Sequence, residues 1–515
     1  MYQSWYKGRK ERVAGVEERC NKEFLENQMK MLFPNETIRV TSIEVNKTGV
    51  FVNPLSAVFP QYADAMTIGN LPDFCDIRIE RDTKGGHTEK IYFWAPFLWN
   101  GRFAGAVGGG SQTGGLFQIM RPNDLRRGWN MATALINGFS VAMTDGANPN
   151  GGRWGIDMET GELDVELIDE WAHVATHQMT LIGKALTEIL YGKKPEFSYV
   201  HGGSGGGRQS IMEAQRYPED YDGVWASCPA INWSKMLVGG LWPIAVMNDR
   251  KNYLYPAKLE AFERAVYKAF GGKKKYFQIV EPVKFDPFVC KGKKTNDGVI
   301  TEEDCETMAE IWDGPKDENG NQLWWFYRRG VRIWTEGVGA TPLSFVKEEN
   351  GDIAIKPFFL VADYAAWVTN SPKETFTDIN KKDFYKILEK SIEHFSYVDA
   401  GEVDLRAFFE RGGKLLIDHG TNDSIIPPDG TIDYYKQVIE NCGEEIQGRD
   451  CCRLFFNAGD GHGDCFSYGA GIPISAGMQA LIAWVEEGIA PEQIKGVRAS
   501  EKTKKILEEK VLYPM

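Results

Sequence analysis

The residues whose types and spacing could do chemistry begin with the serine inside Gly202-Gly203-Ser204-Gly205-Gly206. This segment satisfies GxSxG and falls between the apolar run FSYVH, which reads as a strand, and IMEAQRY, which reads as a helix. Strand, tight turn and helix is the context in which that motif presents a nucleophile. A serine hydroxyl is a poor nucleophile near neutral pH and needs a neighbouring imidazole to take its proton. The glycines permit the sharp turn, since a side chain there would meet the folded backbone. They would also suit a phosphate loop at a helix N-terminus. Against that reading, the GxGxxG spacing is lacking and no Lys-Ser or Lys-Thr pair follows.

The chain has seven histidines: His87, His173, His177, His201, His394, His419 and His462. When a GxSxG elbow serves a hydrolase, the chain order is serine, acid, histidine, which leaves the last three. His394 lies in KSIEHFSY with no strand ending at it, and His419 closes the strand KLLI before the best acid, so both are assigned packing or structural roles. His462, in the turn AGDGHGD after the strand RLFF, is the expected general base. Asp423 follows KLLIDHG by a short turn and is the expected acid, holding one imidazole tautomer and stabilising the imidazolium. Asp418, Asp460 and Asp464 are the competing carboxylates. Attack on an ester creates an oxyanion, which calls for preorganised amides. Gly205 supplies one and the run Gly108-Gly109-Gly110 another, with Gly109 and Gly110 as the candidates; a plain turn is the alternative for that run. Asp145 and Asn148, at a strand end on the same edge, are candidates for substrate contact or for loop support.

Such a constellation needs a scaffold of strands ending in loops. From about Ile77 to Asp145 short apolar runs close on Gly, Asn or Asp, as in KIYFWAP, RFAGAV and FSVAMTDGANPN. Trp171 to Leu190 carries helical spacing and is followed by Gly192, a stop signal. The alternation of strand and helix predicts an α/β fold of the α/β-hydrolase type, a mostly parallel sheet with helices on both faces. Between Trp233 and Tyr397 the rhythm breaks into GGKKKYF, GPKDENGNQ and LWWFYRRG, and it resumes with LRAFFERGGKLLIDHGTND. The expected organisation is therefore a core in two parts, 1–232 with the nucleophile and 398–515 with the acid and the histidine, interrupted by a lid or cap over 233–397.

At 515 residues the chain exceeds one ordinary domain, which suits one core carrying a large insertion. Hydrophobic residues at 43% against 25% charged describe a soluble globular protein with a sizeable core. A net charge of -13 argues against a nucleic-acid partner. No stretch of about 18 uninterrupted apolar residues offers a membrane span, and the first residues lack the apolar run of a signal peptide. A cytoplasmic protein is the expectation. The nine cysteines include no CxxC pair and read mostly as buried thiols, the neighbouring Cys451 and Cys452 among them.

These residues resemble the tannase and feruloyl esterase family of α/β hydrolases. The likeness rests on WNGRF followed by VGGG, on GGSGGGRQSIMEAQRYPEDYDGV, on GGKLLIDHGTNDSIIPPDGTIDYY and on GDGHGDC, and it covers about Cys75 to Pro491. The resemblance implies that Ser204, Asp423 and His462 form a triad, that a lid separates serine from aspartate, and that the partner is a small aromatic ester, galloyl, feruloyl or another hydroxycinnamoyl. Trp324, Trp325, Phe326 and Tyr327 would then line an aromatic cleft or pack in a core. Two departures stand out. Secreted members join the nucleophile and histidine loops by a disulfide, but the corresponding positions here are Gly203 and Gly463. Many members carry a calcium-binding DGVxDG-type loop in the lid, whereas this chain has NDGVI at Asn296 to Ile300, so neither calcium nor an organic cofactor is expected. Esterase or acyltransferase action on non-aromatic or acetyl esters, and a non-catalytic binding protein on the same scaffold, are the alternatives.

Overall fold

Runs such as FSYVHGG and GVWAS are apolar at nearly every position, which suits strands covered on both faces rather than on one. The computed structural model describes residues 3–125, 128–148, 153–442 and 448–515, the side chains of 448 and 449 excepted. Nine strands form its main sheet: β1 Ile38–Asn46, β2 Phe74–Asp82, β3 Thr88–Pro96, β4 Arg102–Ala106, β5 Ser140–Thr144, β6 Phe197–Gly203, β7 Gly223–Ser227, β8 Lys414–Gly420 and β9 Cys452–Asn457. Their spatial order is β1-β2-β3-β5-β4-β6-β7-β8-β9. The pairings from β5 to β9 are parallel. Those joining β1, β2, β3 and β5 are antiparallel. The sheet is thus mixed, with the parallel part at its centre and far edge. Edge strand β1 is buried only at Ile38, Val40 and Asn46, whereas β6 is buried from Ser198 onward.

Helices cover both faces of the parallel part. Helix α1, Ala175–Tyr191, ends on Gly192 in the left-handed conformation, φ 72°, as a glycine stop requires. Helix α2, Gly205–Arg216, starts directly after Ser204 and packs on β6 and β7.

After β7 the chain leaves the sheet. Residues 233–397 contribute no strand to it and instead form α3 Trp233–Gly239, α4 Trp242–Arg250, α5 Pro256–Ala269, α6 Glu302–Asp313, α7 Phe359–Thr369 and α8 Lys381–Phe395. A small three-stranded sheet spans Trp334–Glu336, Leu343–Lys347 and Ile353–Pro357. Capping boxes open α6 (Thr301 with Asp304) and α8 (Asn380 with Asp383), each cap contributing about 1 kcal/mol. This region has its own apolar core, joined to the rest by Ile168, Trp171 and Ile426. Two further clusters lie on the sheet. Helices α9 Pro428–Asn441 and α10 Ile474–Glu487 follow β8 and β9.

Polar fasteners hold the two regions together. Arg328 makes a two-pronged ion pair with Asp429 of α9, at 2.9 and 2.8 Å, and the Tyr327 hydroxyl donates to the Ile425 carbonyl at 2.8 Å. Buried Arg208 of α2 lies 5.8 Å from the centre of the Trp233 ring at the start of α3 and 4.1 Å from that of Trp171, and donates to the carbonyls of Ala172 and Val398. As expected, most cysteines are buried thiols, seven of the nine, Cys451 and Cys452 included; Cys20 and Cys75 are disulfide-bonded. The pair is 55 residues apart in sequence, too far for any local pattern to announce it. Among the described residues, no helix is long and apolar enough to cross a membrane.

Candidate active site

Ser204 sits between β6 and α2 at φ 63°, ψ -124°. A non-glycine residue held there costs about 1–3 kcal/mol and persists only where its surroundings enforce it. Here the Ser204 amide donates to the Ser227 carbonyl at 2.9 Å, and the Ala230 amide donates to the Ser204 carbonyl at 3.1 Å. The flanking glycines have a packing cause. A Cβ on Gly205 would lie 2.1 Å from the Gly110 carbonyl oxygen, and one on Gly206 2.3 Å from that of Gly108. The loop after β4 is therefore pressed backbone to backbone against the start of α2.

The imidazole of His462 spans serine and acid. Its Nε2 is 2.9 Å from Ser204 Oγ and its Nδ1 2.7 Å from Asp423 Oδ2. Asp423 is fully buried. Its Oδ1 accepts from the amides of Ile425 and Ile426 at 2.7 and 3.0 Å, and its Oδ2 also accepts from His419 Nε2 at 3.0 Å. Burial pushes the Asp423 carboxyl up, but the charge and hydrogen bonds of His462 and His419 outweigh it, and the net shift is downward. An ionised Asp423 requires protons on His462 Nδ1 and His419 Nε2. In the neutral ring Nε2 of His462 is then free to accept from the serine hydroxyl, while His419 Nδ1 lies 2.9 Å from Thr431 Oγ1.

The other sequence candidates fall in distinct places. Asp418 accepts from Trp225 Nε1 at 2.7 Å and Ser227 Oγ at 2.5 Å, and burial raises it to about 6. Asp460 is buried and pushed up by desolvation and by the charges of Asp418 and Asp464, while its Oδ1 caps the Gly461 amide. Asp464 accepts from the Phe466 amide. The His394 side chain is 59% exposed, on the surface of α8. Asp145 accepts from the amides of Lys90 and Ala147, and Asn148 donates to the Ser111 carbonyl, so both brace loops. Gly203 and Gly463 leave the nucleophile and histidine loops without a covalent link. In the Asn296 turn, Asp297 accepts from the Ala257 amide at the start of α5.

Two neighbours of the triad escaped sequence reasoning. His419 was assigned a structural role, yet it shares an oxygen of Asp423 with His462; its position four residues before Asp423, at a strand end, was the available signal. Cys228 lies just past β7 at φ 36°, with its sulfur within 4.8 Å of ligand atoms of Asp423 and His462.

Beside Ser204 opens a cleft walled mainly by Trp233, Met236, Leu237, Phe358 and Val361. Gly110 lines it, at φ 62°, while the Gly109 carbonyl accepts from the Gln112 amide in the turn behind. Of the aromatic run, Tyr327 faces the cavity, Trp324 and Phe326 are buried in the core of the 233–397 region, and Trp325 is 38% exposed.

A serine on a strand-to-helix elbow of a parallel sheet, facing an imidazole and a carboxylate from the loops after later strands, defines the α/β-hydrolase class. The family model described as "Tannase and feruloyl esterase" matches residues 75–514. A probable feruloyl esterase of Arthroderma benhamiae is 31% identical over 440 residues, covering 82% of this chain and 78% of that protein. The chain belongs to the tannase and feruloyl esterase family of carboxylic ester hydrolases. Among solved structures, its fold matches a tannin acyl hydrolase from Aspergillus niger, with a TM-score of 0.76 at 19% identity, covering 98% of this chain and 93% of that one. It also matches feruloyl esterase B from Aspergillus oryzae, with a TM-score of 0.73 at 20% identity and 95% coverage of both chains.

Proposed function

We propose that the protein hydrolyses esters of aromatic acids, galloyl, feruloyl or related hydroxycinnamoyl, through an acyl-enzyme on Ser204. The observation that carries this reading is the continuous relay from Ser204 Oγ through His462 to buried Asp423 at the mouth of an apolar cavity. Ser204 Oγ bonds to the ester carbonyl carbon while its proton passes to His462 Nε2. The oxyanion rests on the amides of Gly205 and of the Gly109-Gly110 turn. The C–O bond to the alcohol then breaks, and His462 returns the proton to the leaving oxygen. Water repeats the sequence and frees the acid, with no organic cofactor or metal in the reaction. The names of the relatives support the choice of acyl group.

In this reading the 233–397 region is a lid, since it supplies most of the cavity wall. A cytoplasmic location fits Gly203 and Gly463, which leave the catalytic loops without a disulfide. The Cys20–Cys75 bond weighs the other way, and a count of free thiols in protein taken from its own cells decides between them. The test of function compares wild type with Ser204→Ala on methyl ferulate, methyl gallate, an acetylated phenol and a short aliphatic ester. Serine-dependent turnover of the aromatic acyl esters is expected. Activity confined to the acetyl or aliphatic esters would replace the substrate class, and activity surviving in the variant would remove the triad.

A further inference from the structure

A second group of chemically able side chains lies away from the triad, where α1, α2 and the turn before β7 meet. His177 projects from the first turn of α1, Glu213 from the last turn of α2, and Asp220 from the turn that leads into β7. One ligand atom from each lies within 4.8 Å of the other two. His177 Nδ1 is 2.7 Å from Asp220 Oδ2. Its ring stacks on that of Tyr217, with 3.8 Å between centres and 5° between planes, and the Tyr217 hydroxyl is 2.7 Å from His173 Nδ1. The plane of the imidazole is therefore set by its surroundings, as a metal-binding histidine requires.

Glu213 is the residue that the packing leaves unexplained. It is 1% exposed, and among the described residues neither of its carboxyl oxygens has a hydrogen-bond partner. The Lys184 ammonium, two turns along α1 from His177, is turned instead to the carbonyls of Asp220 and Glu219. Buried carboxyls are otherwise hydrogen-bonded, paired or bound to a metal. Two of them side by side repel unless a proton or a cation lies between them. A proton satisfies the carboxyls alone. A divalent ion balances both charges and also takes His177 as a third ligand.

One nitrogen and two oxygens suit zinc, whereas calcium and magnesium take oxygen ligands. Around zinc, with bonds of about 2.0–2.2 Å, tetrahedral ligand atoms stand roughly 3.3–3.5 Å apart. His177 and Asp220 would part by less than about 1 Å and Glu213 would close by no more than about 1.5 Å, which small side-chain rotations supply. The His177 side chain is 22% exposed, so the cluster opens to solvent, as an entry path and a water in the fourth position require.

We propose that His177, Glu213 and Asp220 form a structural site for one zinc ion, which ties α1, α2 and the entry to β7 together and takes no part in the reaction. Since α2 begins directly after Ser204, the ion anchors the far end of the helix that the nucleophile precedes.

Two other groups in the chain offer ligands, His87 with Asp164 and Glu166, and the triad pair His462 and Asp423 with Cys228. The test separates them. Full-length protein stripped with a chelator is titrated with zinc, and uptake, unfolding midpoint and hydrolysis of phenyl acetate are followed together. The expected result is uptake of one zinc at micromolar concentration, a rise of a few degrees in the midpoint and unchanged turnover, with calcium giving no rise. Glu213→Gln and His177→Gln should each weaken uptake by at least about tenfold and remove the rise, and His87→Ala should bind as wild type does. Cobalt(II) bound to wild type should give visible absorption bands that His177→Gln lacks, a readout that does not depend on Glu213→Gln folding. No uptake, or uptake equal to that of wild type in both Glu213→Gln and His177→Gln, overturns the proposal. Turnover that falls in step with uptake also overturns it, by placing the ion on the triad.

Discussion

On the core side of Ser204, Asp423 accepts four hydrogen bonds, from two amides and two imidazoles, in a site closed to water. Across the cavity, Trp233, Met236, Leu237 and Val361 of the 233–397 region present mostly carbon. The polar side is built from loops that follow β6, β8 and β9, strands of the parallel part of the main sheet, so its parts are held in register by the same hydrogen-bond ladder. The apolar side is built from helices with their own core. The contrast separates two tasks. Directional bonds must be placed to within tenths of an ångström to move a proton, whereas apolar contact needs shape and volume alone and tolerates exchange of one hydrophobe for another.

The largest expected effect on this contrast comes from Ser204→Ala, which should lower kcat by on the order of 10⁵- to 10⁶-fold with an unchanged unfolding midpoint. A stopped assay with active-site titration measures it, and residual turnover within a hundredfold of wild type would place the nucleophile elsewhere. Asp423→Asn follows, with a loss of about 10⁴-fold through the wrong imidazole tautomer. The same variant tests linkage. The folded carboxyl of Asp423 lies below its unfolded value of about 3.9. Its contribution to stability is therefore complete above about pH 4 and lost as pH falls further toward the folded value. Wild type should show this extra acid sensitivity below about pH 4 in denaturant titrations, and Asp423→Asn should lack it.

Gly205→Ala forces the Gly110 carbonyl to move. The expected cost is a factor of about 10² to 10³ in kcat, comparable to losing one oxyanion donor; a variant as active as wild type would show that the two backbones do not have to touch. His419→Leu removes one donor from Asp423 and leaves Thr431 unpaired. It should lower stability by about 1–3 kcal/mol and kcat by roughly tenfold with little change in KM, and a wild-type kcat would limit His419 to a structural role. The smallest effect belongs to Tyr327→Phe, which frees the Ile425 carbonyl. A few-fold rise in KM and about 1 kcal/mol of stability are expected, and no change in either would show that the fastener does not shape the wall.

Much of the polar side was legible in the sequence. Gly202 to Gly206 encode a turn, and turns are local, so residue type alone specifies them. Asp423 and His462 were found because each closes a strand read from its apolar run, and the order serine, acid, histidine reduced the choice. The apolar side was not legible to the same degree. Trp324 through Tyr327 are consecutive in LWWFYRRG, yet one faces the cavity, two are core and one is exposed. That sorting depends on the path of an irregular segment, for which no periodicity exists to read.

The sequence by itself determined the elbow, the alternation that builds the parallel sheet, the break in rhythm from Trp233 to Tyr397, and which serine, aspartate and histidine stand at strand ends. Each of these is a matter of local backbone preference or short-range apolar pattern. The tertiary structure alone decided that His419 shares Asp423 with His462, that Cys228 lies beside them, that Cys20 is bonded to Cys75 and that Trp233, Met236, Leu237 and Val361 wall the cavity. These are contacts between residues far apart along the chain, as far as the 258 residues from Ser204 to His462. Their pairing is set by how packed elements meet, and no local stretch of sequence carries that information.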